Sequence, residues 1–337
     1  MPGCKLEGCK NEAIFESDFC WEHIKDKKSY RDNIIRLADG KTSFEGVNLS
    51  RVDLGSMNFA HLNLSGANLS RASMVDCNFF DSNLKNAELL GADLSNSDLT
   101  SADLAGSDLT RCCLCGTRLW HANMENANLI EANLSRADLW NARLFNARFW
   151  RTDLSSAISI SKNNFRHNVN NYLSTCRIGE KGIQSAEESY RNLKKYFLAN
   201  GRYDDASWAS FKEKTMEKAL LKKKKNLAYI PSLIMDLLCG YGEKPQRIIL
   251  SSFFVILFYA FLYLILNAIT YSVLETYKMS LGDYIYYSVI TFTTVGYGDF
   301  IPKASLVSRI LAASEGFVGT FMIGLFIFTL ARKYSAR

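Results

Sequence analysis

Residues 87–109 read AELLGADLSNSDLTSADLAGSDL, with leucine at every fifth position and a small side chain two residues before each leucine. The spacing continues in both directions, so that 23 positions in steps of five, from Phe44 to Leu154, are all Leu, Phe or Met. A period of five matches neither the 3.6-residue turn of an α-helix nor the two-residue alternation of a β-strand. The segment is therefore an internal repeat, in which each unit supplies one large apolar side chain to a core formed by stacking.

This Ala-Asp/Asn-Leu-x-x pattern resembles the pentapeptide-repeat family. The resemblance implies a right-handed quadrilateral β-helix over residues 42–157, with one pentad on each of four sides, the large apolar residue inside and the small residue at a crowded corner. At four pentads per coil, the 23 pentads make nearly six coils. At about 4.8 Å per coil the stack is roughly 28 Å long, and its two ends need caps.

Outward-facing positions of such a coil recur every 20 residues on one face. One column contains Phe80, Thr100, Trp120 and Trp140, which indicates an interface, and we favour a contact between subunits over a foreign partner. Residues 42–156 carry 9 basic and 13 acidic side chains. Some members of the family imitate DNA by their acidity, but this balance favours an ordinary solvated face, and we expect no nucleic-acid partner.

A second informative stretch, residues 293–300, reads TTVGYGDF and lies between two long apolar segments. A potassium ion that crosses a membrane exchanges its hydration shell for other oxygens, and a row of backbone carbonyls can supply them. Aiming successive carbonyls at one axis requires backbone conformations that side chains with a Cβ tolerate poorly. Glycine therefore suits positions 296 and 298.

This stretch resembles the selectivity filter of two-transmembrane potassium channels with one pore loop. The resemblance implies that K⁺, the permeant ion, binds at Thr294, Val295, Gly296, Tyr297 and Gly298. Four copies of the loop surround one pore in that family, and this chain carries one copy, so the resemblance also implies a homotetramer.

The resemblance also assigns roles around the filter. Tyr286 and Tyr287 correspond to pore-helix aromatics that support it, and Asp299 corresponds to a carboxylate that bonds to them. Ile290 stands where some bacterial members carry a buried glutamate, so their stabilising carboxyl pair is absent here. Gly319 corresponds to the gating hinge of the inner helix, although close helix packing explains a small residue there equally well.

Two apolar segments predict a membrane pore domain over residues 247–337. Ile248–Ile269 and Leu306–Leu330 are each long enough to span a hydrocarbon core of about 30 Å, whereas Ser280–Phe292 is too short and suits a re-entrant pore helix. Glu315 is ionisable within a span, so we expect it to face protein and to form a hydrogen bond near the pore helix.

Basic residues fix the expected orientation. They precede the first span and follow the second: Lys222–Lys225, Lys244, Arg247, Arg332, Lys333 and Arg337. By the positive-inside rule both termini are cytoplasmic, and we expect a multi-pass protein of the plasma membrane. The basic segment before the first span also suggests contact with anionic membrane lipids.

Residues 1–41 contain Cys4, Cys9, Cys20 and His23 in the spacing C-x4-C-x10-C-x2-H. Three thiolates and one imidazole can close a tetrahedral Zn²⁺ site, and so short a segment has too little core to fold otherwise. The pattern resembles small Cys3His zinc-binding motifs. Structural zinc is the favoured interpretation, and unliganded thiols or redox sensing are the alternatives.

Residues 158–246 predict a helical hairpin followed by an interfacial helix. Apolar stripes at Ala186–Phe197 and Trp208–Ala219 are separated by Asn200-Gly201, and the pair is similar to one tetratricopeptide unit or serves as a passive spacer. A further stripe at Ile230–Leu238 suits a helix that lies in the membrane surface.

Together these features predict a multidomain protein: a β-helix, an all-α linker and a two-span α-helical pore. The predicted function is a tetrameric K⁺-selective channel whose gating or assembly is controlled by the cytoplasmic β-helix. The alternative is a membrane-tethered pentapeptide-repeat binding or scaffold protein with a non-conducting pore. The chain is not expected to be an enzyme, because it has no arrangement of nucleophile, base and orienting group. The stimulus or ligand that opens the pore cannot be read from the sequence.

Overall fold

The five-residue repeat folds as a square coil. Each residue just before a central apolar position pairs in parallel with the residue 20 positions later, beginning with Asn48 and Asn68. Backbone hydrogen bonds join the same neighbouring coils, and the N–H of Leu104, for example, donates to the carbonyl of Asn123 at 2.7 Å. Twenty residues per coil are four pentads per coil, so the predicted four-sided β-helix is confirmed.

The computed structural model describes residues 3–40, 43–165, 180–273 and 277–335. The chain divides into two compact units, Met1–Met216 and Glu217–Arg337, and each is described by itself. The first unit holds the β-helix, and the second holds the apolar helices that the sequence predicts to span a membrane.

The interior of the β-helix is a continuous column of central side chains. Phe59, Leu84, Leu104 and Leu129 are each fully buried, as are most of the other central residues, and the small residue two positions earlier is buried as well. Burying one such side chain contributes about 1.5–3 kcal/mol. The repeated apolar residue therefore supplies the core of the first unit.

The corners of the coil require a left-handed backbone, which the five-residue pattern of apolar side chains does not predict. Every fifth residue from Gly46 to Ser156 has a positive φ, including Arg71 at 60°, Asn96 at 59° and His121 at 56°. For a residue with a Cβ this conformation costs roughly 1–2 kcal/mol. Burial of the neighbouring central side chain offsets that cost once in each pentad.

Helices close both ends of the β-helix. At the N-terminal end, α1 (Lys27–Asp39) packs the buried Ile34 into the same core, and the ring of Phe15 lies 5.7 Å from that of Phe44 in the first coil. At the other end, α2 (Glu180–Ala199) places Leu193 and Phe197 in that core, and α3 (Tyr203–Lys223) places Ala206 and Ala209 there.

The hairpin α2–α3 is therefore a cap of the β-helix in addition to the linker that the sequence predicts. The hydroxyl of Tyr196 in α2 donates to the carbonyl of Ala157 at 2.6 Å, and the indole N–H of Trp150 donates to Glu188. Both bonds join the hairpin to the last coils. The boundary between the two units falls within α3.

Within the described residues, the second unit contains the end of α3, four further helices and one two-stranded sheet. Its elements are α4 (Tyr229–Cys239), α5 (Pro245–Ile265), β1 (Ile269–Tyr271), α6 (Leu281–Phe292), β2 (Phe300–Pro302) and α7 (Leu306–Ser335). Helices α5, α6 and α7 pack against one another in pairs. Strands β1 and β2 are antiparallel, with Thr270 opposite Ile301. They join the end of α5 to the segment that follows the filter stretch.

Candidate ion pathway and metal centre

Helix α6 ends directly at the filter stretch, where the sequence places a pore helix. Ser280 caps its N-terminus in a capping box, because the Ser280 hydroxyl accepts from the Asp283 N–H and the Asp283 carboxylate accepts from the Ser280 N–H. Such a box fixes the start of a helix. The C-terminal end of α6, with the negative end of the helix dipole, lies next to residues 293–300, and a helix end of this kind favours a cation.

The filter stretch has an alternating backbone. Thr294, Gly296 and Gly298 have φ of 57°, 51° and 82°, whereas Val295 and Tyr297 between them are not left-handed. Alternation of this kind turns successive carbonyls toward one side of the chain. The N–H groups of Val295 and Gly296 both donate to the Ile290 carbonyl, at 2.9 and 3.2 Å, so the start of the loop is fixed to α6.

Glycine marks two of the three left-handed positions in this stretch. Thr294 is the third, and the placement of the glycines does not predict it. A β-branched residue with positive φ is a true outlier, and residues held in that region store strain that clusters at functional sites. The spacing of two before Gly296 is the signal that could have revealed it. Val295 and Tyr297 expose 53% and 72% of their surface, so the described part of the chain leaves these two large apolar side chains uncovered.

The predicted filter supports occupy two different environments. The hydroxyl of Tyr286 interacts with the Asp299 carboxylate, beside the filter. Tyr287 is buried, and its ring lies 5.0 Å from that of Tyr263 in α5. Phe300, which no sequence pattern marks, also supports this region, because its ring lies 5.8 Å from that of Tyr286 and packs with the strand aromatics.

Gly319 lies where α7 crosses the end of α6. A Cβ at this position would come within 2.0 Å of the carbonyl oxygen of Phe292. The close contact favours the packing explanation of this glycine, and the hinge remains a prediction. One turn earlier in α7, Glu315 is fully buried and accepts a hydrogen bond from Tyr263 at 2.6 Å, and it lies within hydrogen-bond distance of Ser288 of α6.

The four N-terminal residues predicted to bind metal lie together. Their ligand atoms are all within 4.8 Å of one another. Nδ1 of His23 lies 3.4 Å from Sγ of Cys4 and 3.2 Å from Sγ of Cys20, and Sγ of Cys20 lies 3.9 Å from Sγ of Cys9. A tetrahedron around Zn²⁺, with Zn–S of about 2.3 Å and Zn–N of about 2.0 Å, has edges of about 3.4–3.8 Å. These three separations lie close to those edges, and the chemistry of the donor set suits Zn²⁺, while the four ligand atoms together spread over up to 4.8 Å.

The thiols of the cluster differ in how readily they ionise. A hydrogen bond from the Asn11 backbone lowers the pKa of Cys9, but burial and the neighbouring thiols of Cys20 and Cys4 outweigh it and raise that pKa. Burial opposes ionisation of Cys4, but hydrogen bonds from the backbones of Cys20 and Leu6, and a further one from His23, lower the pKa of its thiol to about 6. The thiolate is the form that binds metals. The segment is also attached to the β-helix, because the Asn48 side chain donates to the carbonyl of Ala13 at 2.8 Å.

Comparison with known families follows the same division. Residues 240–336 match the family described as "Ion channel", and residues 41–76, 77–116 and 122–158 match pentapeptide repeats in eight copies. The chain joins a pentapeptide-repeat domain to an ion-channel domain. Two helices of this protein, Pro245–Ile265 and Leu306–Ala331, are long and apolar enough to cross a membrane.

Solved structures resemble the pentapeptide-repeat domain only in part. A pentapeptide repeat protein from the thylakoid lumen of Arabidopsis thaliana is 24% identical and aligns with 31% of this chain and 69% of its own, with a TM-score of 0.28. One from the cyanobacterium Cyanothece 51142 is 23% identical and aligns with 40% of this chain and 97% of its own, with a TM-score of 0.29. Curated proteins give no match. The assignment of the two domains rests on the family matches and not on these partial structural similarities.

The surface of the pentapeptide-repeat domain pairs its carboxylates with basic side chains one coil away. Arg118 bonds to Asp98 at 2.7 Å and Arg111 to Glu131 at 2.7 Å. Burial opposes ionisation of Asp98, yet hydrogen bonds from Thr100 and from Arg118 lower its pKa. Paired acids of this kind suit the solvated face that the charge balance predicts.

In the second unit, Asp236 joins three helices. Its carboxylate bonds to Lys218 in the last turns of α3 and, at 2.9 Å, to Arg247 at the start of α5. Helix α4 also exposes a row of apolar side chains, namely Ile230, Leu233, Ile234 and Leu237. This face matches the predicted interfacial helix, and Asp236 links it to the first membrane span.

Proposed function

We propose that this protein is the subunit of a homotetrameric K⁺-selective channel of the plasma membrane. The observation that carries the proposal is the alternating backbone of Thr294, Gly296 and Gly298 at the C-terminal end of a pore helix. Carbonyls aligned in this way can replace the hydration shell of K⁺. One chain supplies one loop, and its apolar side chains Val295 and Tyr297 are exposed until neighbouring loops cover them.

In the proposed orientation both termini are cytoplasmic, and the filter faces the outside. Basic residues precede the first predicted span and follow the second, on one side of the membrane. The exposed apolar face of α4 then lies at the cytoplasmic lipid surface, next to Lys222–Lys225. The ion pairs of Asp236 support this arrangement, because they hold α4 against the start of the first span.

The N-terminal cluster is proposed to hold a structural Zn²⁺ through Cys4, Cys9, Cys20 and His23. When bound, the ion supplies four strong bonds to a segment with little core of its own. Four protein ligands leave no open position for catalysis. The cluster thereby stabilises the segment that covers the first coil of the pentapeptide-repeat domain.

Control of the pore is assigned to the pentapeptide-repeat domain. Rearrangement of this domain would act through α3 and, by way of Asp236, on α4 and α5. The other candidate is a membrane-tethered scaffold whose pore does not conduct.

Flux measurements on reconstituted liposomes separate these two functions. The purified protein is expected to carry K⁺ in large excess over Na⁺, and Gly296→Ala is expected to abolish that flux, since alanine disfavours the left-handed backbone at position 296. Gly201→Ala is the matched control, because Gly201 also has a positive φ and open space around it but lies in the turn between α2 and α3. Absence of wild-type flux, or an unaffected Gly296→Ala variant, contradicts the channel.

A further inference from the structure

Three helices of the ion-channel domain meet at one buried carboxyl group. Glu315 in α7 has no exposed surface. Its Oε2 accepts a hydrogen bond from the hydroxyl of Tyr263 in α5 at 2.6 Å, and its Oε1 lies within hydrogen-bond distance of the Ser288 hydroxyl in α6. Within the part of the chain that the structure describes, these two hydroxyls are its hydrogen-bond partners.

The number of protons in this cluster determines the charge of Glu315. The Ser288 hydroxyl contacts two acceptors, Glu315 and the carbonyl of Ile256 at 2.9 Å. A hydroxyl has one proton, so together Tyr263 and Ser288 supply two protons for three contacts. All three contacts are hydrogen bonds only if Glu315 supplies the third proton, which it donates to Ser288 while Ser288 donates to Ile256.

The other titratable groups that face Glu315 do not favour a charged carboxylate. They are the phenols of Tyr263 in α5 and Tyr287 in α6. An unpaired carboxylate among apolar helices is expensive. Both the hydrogen-bond geometry and the absence of a basic neighbour among the described residues therefore favour a neutral Glu315.

We propose that Glu315 is a positioning residue that acts as a neutral hydrogen-bond donor and holds the pore helix α6 between α5 and α7. Ser288 lies two residues before Ile290, whose carbonyl accepts the N–H groups of Val295 and Gly296 at the start of the filter. Through Ser288, Glu315 therefore restrains the helix to which the start of the filter is hydrogen-bonded. That this restraint keeps the filter in place rests on the proposed function.

Side-chain replacements distinguish a neutral donor from a charged group. In Glu315→Gln the amide oxygen accepts from Tyr263 and the amide N–H donates to Ser288, so every bond of the neutral acid is kept. In Glu315→Leu the Tyr263 hydroxyl and the Ser288 oxygen both lose their partner in α7, and a buried polar group without a partner is destabilising. We therefore expect Gln to replace Glu315 and Leu not to.

The first measurement does not depend on conduction. Infrared difference spectra of the purified full-length protein in lipid, wild type minus Glu315→Gln, are expected to show the carbonyl band of a protonated carboxylic acid near neutral pH. Thermal unfolding is expected to give equal midpoints for wild type and Glu315→Gln and a lower midpoint for Glu315→Leu. A carboxylate band in place of the acid band, or a Gln variant as unstable as the Leu variant, overturns the proposal.

The second measurement tests the effect on the filter. The K⁺/Na⁺ permeability ratio in liposomes is expected to be unchanged in Glu315→Gln and to fall about fivefold or more in Glu315→Leu, the factor that corresponds to one lost buried hydrogen bond. Adding Ser288→Ala to Glu315→Leu is expected to lower the ratio little further, because the two residues act together. An unchanged ratio in Glu315→Leu rules out positioning. A wild type without flux contradicts the channel function instead, and the infrared and unfolding results still decide the state of Glu315.

Discussion

The approach of Gly319 to the backbone of Phe292 leaves no room for a methyl group. A Cβ at position 319 would lie 2.0 Å from the Phe292 oxygen, and this backbone atom cannot turn away as a side chain can. Gly319→Ala should therefore push α6 away from α7, with an overpacking cost of about 1–3 kcal/mol and a lower K⁺/Na⁺ permeability ratio in liposomes.

Gly324→Ala is the control for this prediction. Gly324 lies in the same helix, and a Cβ at this position would have nothing within 4 Å, so alanine there should be neutral or slightly stabilising through its helix propensity. If Gly319→Ala behaves like Gly324→Ala in both unfolding and permeability, the close contact does not position the filter.

The Asp98–Arg118 pair makes the stability of the pentapeptide-repeat domain depend on pH. Burial opposes ionisation of Asp98, but hydrogen bonds from Thr100 and Arg118 outweigh this effect and lower its pKa. The pair therefore stabilises the folded state above the ordinary aspartate pKa of about 3.9, and this contribution is lost as the pH falls through the lower folded value. We expect Asp98→Asn to lower the unfolding midpoint at pH 7, by an amount equivalent to less than about 1 kcal/mol.

The difference between wild type and Asp98→Asn should disappear in acid, well below the ordinary aspartate pKa of about 3.9. Unfolding followed by circular dichroism across this range measures it. Arg118→Gln should show the same loss at neutral pH and the same convergence in acid. A wild-type advantage over Asp98→Asn that persists once Asp98 is protonated would contradict an electrostatic origin.

Among the elements, we expect the N-terminal segment to depend most on a bound metal ion for its stability. It has three cysteines and one histidine at tetrahedral separations and few buried apolar side chains. Purified protein should contain one Zn²⁺ per chain by elemental mass spectrometry, and Cys20→Ser should lose it. Cys115→Ser, in the pentapeptide-repeat domain, should retain the full amount. Equal zinc contents in the two variants would contradict the assignment to this cluster.

The sequence predicts those elements in which one type of side chain recurs at regular positions and has the same role each time. A central Leu or Phe in every pentad predicts the coil and its core, and two long apolar runs predict the spanning helices. The corner position of the coil was missed because its side chains vary, from Arg71 to Asn96 to His121, and only their shared positive φ reveals it.

Contacts between distant elements could not be predicted in this way. Three-residue strands such as β1 and β2 are too short to show alternation, and Phe300 has partners only once they pair. The amphipathic stripe of α2 predicts a buried face but not what covers it, which proves to be the end of the β-helix. The same is true of Glu315, whose partners Tyr263 and Ser288 lie in two other helices.

For the whole molecule, the natural division lies at Met216 and not at the end of the repeats. Helices α2 and α3 contribute Leu193, Phe197 and Ala209 to the core of the pentapeptide-repeat domain. The ion-channel unit begins at Glu217 and includes Lys218, the partner of Asp236. A conformational change in the repeats would therefore first alter their contacts with the α2–α3 hairpin. A test of whether the repeats control the pore must remove the hairpin together with the repeats.

Deletion of residues 1–216 and deletion of residues 1–156 are expected to differ for this reason. The shorter deletion leaves Leu193 and Phe197 without the core that buries them, and such exposed apolar surface promotes aggregation. The longer deletion removes that surface and keeps the joint at Asp236. We expect the protein that begins at Glu217 to remain monodisperse by size-exclusion chromatography and to conduct K⁺ with an opening probability different from that of the full chain. Identical single-channel opening in the full chain and in this deletion, under every condition tested, would leave the pentapeptide-repeat domain as a scaffold without control of the pore.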